Sequence, residues 1–391
     1  MRLSLRVWFV LAAALGGAGW GTVSPGCPFC GIVDVPLAQR RDAAESVAIG
    51  EAAGPLQPPA DGRLVQPLRI QQVVRKPRRF DASVGTVVTA EVAGAVQGTA
   101  LLLGRMAEPE DGGRWRAIAA DETLLGHVLE APSVATPAAA RLEWFARRLW
   151  HPDPRIAADA LAEFAAAPYA AVVAAAGALD AERLRAAVGD PGGSQGRRGF
   201  FGLALGIVAA RTGSPEERAA CLQSLHAAIE APADDFRAGF DGILAGELVA
   251  EGEKGLAYLR DRGFCSPAAR PIDQRHLLAA LRFAWENLAE QIPGRSVAGA
   301  TLDLARSPAV AADSIIDLAR YGAWEGLESV AAAWHTVGAD DPQVRRAVAG
   351  YLSACPLPEA REQIASLASK DPQQWAEALE AAALPRPEAL P

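Results

Sequence analysis

The sequence predicts an α+β multidomain protein: a small five-stranded β barrel or sandwich followed by an α-solenoid of stacked helix pairs. Three observations carry this. From about residue 45 to 120 the apolar residues recur with a period near two. Beyond residue 138 strand signals almost vanish and the period becomes helical. Two distant stretches, Asp153-Pro154-Arg155-Ile156-Ala157-Ala158-Asp159-Ala160-Leu161 and Asp341-Pro342-Gln343-Val344-Arg345-Arg346-Ala347-Val348, are near-copies. Each has an acidic N-cap, a proline at the first helical position and apolar residues at helical spacing. A recurring helix start implies recurring helix pairs, each burying its apolar face against its neighbours.

Taken in order, residues 1–26 read as an export signal. Arg2 and Arg6 precede the apolar run Val7 to Ala14 and the small residues Gly16, Gly17, Ala18 and Gly19. That run is about a dozen residues, short of the roughly 20 that span a bilayer, so a cleaved signal is expected and no integral membrane segment remains after cleavage. A lipid on Cys27 is the alternative to simple cleavage, although Ser24-Pro25-Gly26 is a poor match to the Leu-x-small pattern that precedes a lipidated cysteine. Residues 27–44 form a cysteine-bearing segment.

The β domain is expected over 45–128. Its strands are Ser46 to Ile49, Leu64 to Val74, Val84 to Val92, Thr99 to Leu103 and Trp115 to Ile118. Gly54-Pro55, Pro58-Pro59, Asp61-Gly62, Gly94 and Glu110-Asp111-Gly112-Gly113 punctuate them. Residues 129–137 are small, polar and proline-bearing, and read as a linker. The helical domain is expected over 138–384, with a proline-rich tail at 385–391.

Helical stripes include Ile156, Ala160, Leu161 and Phe164; Cys221, Leu222, Leu225 and Ile229; and Leu277, Leu281, Trp285 and Leu288. Val344, Ala347, Val348, Tyr351 and Leu352 make another. Acid-proline or serine-proline pairs mark helix starts at Asp153, Asp190, Ser214, Ser307, Asp341 and Asp371. Asp153 and Asp190 are 37 positions apart, and Ser307, Asp341 and Asp371 are spaced by 34 and 30. Helical repeats run roughly 34–47 residues.

The Asp-Pro-x-(Val/Ile)-x-x-x-Ala starts resemble HEAT-type repeats. The N-terminal cysteines followed by the Ser46 to Ile49 strand resemble the netrin/tissue-inhibitor type of five-stranded oligonucleotide/oligosaccharide-binding barrel. In that family the terminal cysteines bond to cysteines in or near the barrel; this chain has no cysteine between Cys30 and Cys221. As a whole, the signal, Cys-Pro-Phe-Cys, β region and helical tail are similar to a group of exported bacterial proteins without an assigned activity.

Composition narrows the function. Of the 391 residues, 50% are hydrophobic and 21% charged, enough for a packed core. The net charge of -8 disfavours nucleic acid and anionic membrane surfaces as partners. Asn287 precedes Leu-Ala, so no N-glycosylation site exists. Five cysteines are too few for a disulfide scaffold in a chain of this length.

Cys27-Pro28-Phe29-Cys30 is the sharpest motif. It reads as a disulfide or terminal tether, or as a thiol-exchange pair of low thiol pKa. The strand that usually precedes a redox C-x-x-C is missing from its sequence context. Gly31 stands where haem attachment needs histidine. Paired histidines are lacking, so neither a metal nor another cofactor is expected. Cys221 and Cys355 lie in apolar stripes as core thiols, whereas Cys265 sits in a Gly-Phe-Cys-Ser-Pro loop. Asp273 is placed to orient His276 as a general base, but no nucleophile or G-x-S-x-G accompanies it.

Arg75, Lys76, Arg78 and Arg79 form a basic loop on the β domain, either an anion site or a solvated hairpin tip. Asp234, Asp235, Asp241, Glu247, Glu251 and Glu253, with Arg237 beside them, read as a charged outer face. Arg282, Trp285, Arg320, Tyr321 and Trp324 interleave cations with aromatics; they line a concave binding face if Trp285 and Trp324 stay partly exposed, and pack the core if not. The expectation is therefore an exported, periplasmic or extracellular, non-catalytic scaffold for a protein or polymer partner. The alternatives are thiol exchange at Cys27 and Cys30 and anion binding by the β domain.

Overall fold

The computed structural model describes residues 29, 34–58, 62–78, 80, 82–105, 114–190, 195–232 and 237–383. Cys27, Cys30, Arg79, Asp234 and Asp235, together with the predicted signal and the proline-rich tail, lie outside them.

A short helix, α1 (Leu37–Ala43), leads into five strands: β1 (Ser46–Ala52), β2 (Val65–Arg75), β3 (Val87–Glu91), β4 (Thr99–Arg105) and β5 (Arg114–Ala119). They close into a barrel in the order β1-β2-β3-β5-β4, which decides between barrel and sandwich. All pairs are antiparallel except β3 with β5. Register shifts in β1 at Val47/Ala48 and Ile49/Gly50 bend it against β2, as closure of so small a sheet requires. Ala48, Leu68, Ile70, Val88, Ala90, Leu102 and Trp115 fill the interior, where Phe80 meets Trp115 edge-on at 5.2 Å. A Cβ on Gly104 would stand 2.7 Å from the Phe80 ring, so any side chain here would have to displace that ring. The third strand starts at Val87 rather than Val84 because Gly85 turns the chain with a φ of 87°.

Strand β4 reads as an unbroken apolar run because both its faces are covered. Ala100 and Leu102 point into the barrel; Leu101 and Leu103 face outward onto Leu124, Leu125, Val128 and Ile156. Three of those belong to α2 (Glu122–Glu130), a helix capped by the Asp121 side chain on the amide of Leu124. That helix occupies the end of the predicted β domain and the first positions of the predicted linker.

The helical region continues with α3 (Ala138–Ala146), α4 (Pro154–Ala166), α5 (Tyr169–Ala174), α6 (Ala181–Gly189), α7 (Gln195–Arg211) and α8 (Pro215–Glu230). Next come α9 (Phe240–Glu251), α10 (Glu253–Asp261), α11 (Pro271–Asn287), α12 (Gly294–Leu304) and α13 (Ala311–Tyr321). Last are α14 (Leu327–Ala332), α15 (Pro342–Ala354), α16 (Pro358–Lys370) and α17 (Pro372–Ala383). The predicted caps at Asp153, Ser214 and Asp341 accept hydrogen bonds from the amides of Arg155, Glu217 and both Gln343 and Val344. Helix α17 begins at Pro372 as expected.

Asp190 follows the end of α6, and the positions after it, 191–194, lie outside the described residues. One expected start differs: Ser307 lies buried in a turn before α13, where its hydroxyl accepts from Gln274 Nε2. Proline after a small polar residue specifies a turn as readily as a helix start.

Alternate helices form a row. Helix α7 packs on α9, α9 on α11, α13 on α15, and α15 on α17, while α8, α10, α14 and α16 flank it. The closest contact is α7 against α9. Gly199, Gly202 and Gly206 face Gly242 and Gly246 so tightly that a Cβ on Gly206 would lie 2.1 Å from the Gly246 carbonyl oxygen. Helix α9 is buried over almost its whole length. Two apolar cores result. One runs from Phe29 through α3–α11 to Val310; the other joins α12 to α17 around Trp334, Tyr351 and Trp375. Phe29 meets Phe283 at 5.3 Å, so the middle of the Cys-Pro-Phe-Cys motif anchors in the helical core.

Candidate functional site

Helix α11 carries Arg282 and Trp285 three positions apart, on one face. Helix α13 brings Asp317, Arg320 and Tyr321 opposite them. Asp317 is buried, and its carboxylate accepts from Arg282 Nε and, at 3.5 Å, from Arg320 Nη1. Burial raises its pKa, while Arg282 and then Arg320 oppose the rise. The charged link fixes α11 to α13 and holds both guanidiniums at the surface.

Beside it, the Trp285 and Tyr321 rings stack 4.0 Å apart at an interplanar angle of 20°. Gly294 at the start of α12 leaves room for Trp285, since a Cβ there would approach the indole to 3.0 Å. Helix α13 then ends at Gly322 in the left-handed conformation (φ 65°), a frequent helix terminator. The turn sets Trp324 edge-on to Tyr351 of α15, 5.0 Å away. Trp285, Tyr321 and Trp324 are all half-buried and Arg320 is exposed. Four of the five residues singled out from sequence, Arg282, Trp285, Arg320 and Tyr321, are thus linked, and Trp324 follows three positions on against Tyr351. The Tyr321 hydroxyl has no hydrogen-bond partner among the described residues, and burial pushes its pKa up.

Adjoining this ladder, α13, α15 and α17 border an open, groove-like cavity of about 410 Å³. Arg320 lines it on one helix and Arg346 on the next, with Ile316, Ala319, Tyr351 and Ala382 among the apolar walls. Sequence reading missed Asp317, Arg346 and Gly350. Asp317 had a local signal, lying three and four positions before Arg320 and Tyr321. Arg346 and Gly350 had none, because nothing local says which helix packs against α13.

The other candidates are arranged differently. Arg75 donates through Nη2 to the carbonyls of Arg41 (2.6 Å) and Ala44 (2.7 Å), and Lys76 Nζ to that of Ala82. Two of the predicted anion-binding cations therefore serve the backbone, while Arg78 is exposed. Cys221 and Cys265 are buried free thiols and Cys355 is half-buried and free. Burial raises the Cys221 pKa and pushes Cys265 up to about 11, which keeps both thiols protonated near neutral pH. Asp273 pairs with Arg270 at 2.9 Å and lies 3.8 Å from Arg237, while His276 faces Asp241 at 3.9 Å. The acidic run is not an outer face throughout. Glu247 is buried and meets His226 Nε2 at 3.2 Å; Glu251 pairs with Arg218. Among the described residues no group of three or more His, Cys, Asp or Glu is placed to hold a metal ion.

A second polar cluster ties α1 and α2, which flank the barrel, to the helices that follow. Asp159 of α4 accepts from the Leu37 amide and contacts His127 Nε2, both at 2.7 Å. Arg41 Nη1 donates to the carbonyls of Val128 and Ala131 at 2.6 and 2.7 Å. Arg141 pairs with buried Glu163, whose pKa burial raises to about 7 against the pull of Arg141. No helix of the described residues is long and apolar enough to cross a membrane.

Compared with protein-family models, with curated proteins and with solved structures, the chain matches none.

Proposed function

We propose that this is an exported, non-catalytic scaffold that binds a protein or polymer partner on the open face of a HEAT-like stack of helix pairs, running from α11 to α17. The observation that carries the reading is the Arg282, Trp285, Arg320, Tyr321 and Trp324 ladder. Stacked, half-exposed aromatics rimmed by arginines are the side chains that dominate binding hot spots. Asp317 holds the arginines in place before any partner arrives, which lowers the ordering cost of association. The rows α7-α9-α11 and α13-α15-α17, linked through α12 and the Arg282–Asp317 and Trp285–Tyr321 contacts, support the stack, and the two buried, protonated thiols give no support to catalysis by the helical region. The export signal rests on the sequence pattern of residues 1–26.

The test is a capture experiment on an extract of the source organism. Wild type is compared with a variant carrying Trp285→Ser and Arg320→Ala, which keeps the Arg282–Asp317 pair and hence the fold. A partner captured by wild type and lost by the variant is expected; equal capture by both proteins removes the ladder from the binding face.

A further inference from the structure

We propose that the cavity between α13, α15 and α17 is a binding site for a small amphipathic oxyanion, a carboxylate or phosphate head on an aliphatic tail. The site lies beside the proposed partner-binding ladder and is a separate function. Its volume of about 410 Å³ falls within the range of small-molecule pockets. The lining is chemically divided. Arg320 and Arg346 contribute guanidiniums from adjacent helices; Ile316, Ala319, Ala347 and Ala382 and the Tyr351 ring contribute apolar surface. None of the lining residues is acidic. A guanidinium presents five donors in a fixed fork that matches a carboxylate or phosphate. Arg320 Nη1 contacts Asp317 only at 3.5 Å, and its side chain is 62% exposed.

The floor is as telling as the charges. Gly350 stands in the middle of α15, where glycine costs helix stability relative to alanine. A Cβ there meets only the Cβ of Ala382, at 3.8 Å, an ordinary contact. Helix packing therefore does not demand glycine; its effect is to keep the cavity open. The Tyr351 hydroxyl is turned away and donates to the Ala323 carbonyl at 2.7 Å. Only the ring is left to the pocket, as suits an aliphatic tail.

The test is isothermal titration of the full chain with octanoate and octyl phosphate, with inorganic phosphate and octylamine as controls. At least one of the two amphiphiles is expected to bind one to one. Arg346→Gln should weaken that binding by about tenfold or more through loss of a charge-assisted contact. Gly350→Phe, which fills the cavity without touching a charge, should abolish it, with folding of both variants checked by circular dichroism. Should Gly350→Phe fail to fold, Gly350→Val serves in its place. Absence of binding by both amphiphiles overturns the proposal. So does equal binding of inorganic phosphate or octylamine, or binding that survives Gly350→Phe or Gly350→Val. Capture of a protein partner by the cavity-filled variant separates this site from the ladder, since the variant retains Trp285 and Arg320.

Discussion

The two ends of the helical row solve the same packing problem in opposite ways. At α7 and α9 the backbones touch through glycines, and α9 is covered almost all round. At α13, α15 and α17 the packed helices border an open cavity, and Arg320 and Arg346 line it. The closed end derives rigidity from contact without side chains. The open end presents side chains to the solvent side of the groove. A glycine therefore means opposite things at the two ends: close approach at Gly206, retained space at Gly350.

The sharpest way to break this contrast is Gly206→Ala. Its Cβ would lie 2.1 Å from a backbone oxygen that cannot rotate away, so α7 and α9 must separate. A loss of about 3 kcal/mol or more is expected in urea unfolding, at the upper end of overpacking costs. A variant as stable as wild type would mean that the helices do not touch as described.

Next in size is a pH effect at the barrel end. Glu163 has its pKa raised by burial to about 7, above the ordinary carboxylate range. Between those two values the folded protein holds a proton that the unfolded chain has lost. Stability therefore falls as pH rises from about 5 to 7, and levels off on either side. The groups facing Glu163 are Arg141 on α3, Asp159 on α4, and Arg41 and Asp42 on α1. Comparing the Tm of wild type and Glu163→Gln across that range isolates the one carboxyl: the variant should gain on wild type as pH rises. A constant difference contradicts the assignment.

A smaller loss, about 1 kcal/mol, is expected for Asp317→Asn, which trades charge-assisted bonds to Arg282 and Arg320 for neutral ones while relieving a buried charge. Its sharper readout is the ladder itself: quenching of Trp285 by Tyr321 should change as α11 and α13 loosen. Smallest, and opposite in sign, is Gly350→Ala. With space for its Cβ and a better helix former in place, this variant should gain about 0.5 kcal/mol. Destabilisation instead would show that the position is packed, not open.

How much of this was legible in sequence follows the range of each signal. The strands were, because alternation is local: Leu68 with Ile70 and Val88 with Ala90 face the barrel interior as their spacing implies. The caps at Asp153 and Asp341 were legible for the same reason. Ser307 misled because a proline after a polar residue fits a turn equally well. The α7–α9 contact had an unused signature. Gly199, Gly202 and Gly206 have the same three-then-four spacing as Gly239, Gly242 and Gly246, the mark of small residues at a close helix crossing. The ladder was visible as an aromatic and arginine cluster, but its fixing group, Asp317, was not picked out. The cavity was not visible at all, since it exists only where three helices separated in sequence converge.

The most direct measurement of the central claim is the paired capture experiment on the α11–α13 ladder. A partner retained by wild type and lost when Trp285 and Arg320 are truncated, with the fold intact, is the predicted result. Identical capture by the two proteins would contradict it and move the working surface elsewhere on the molecule.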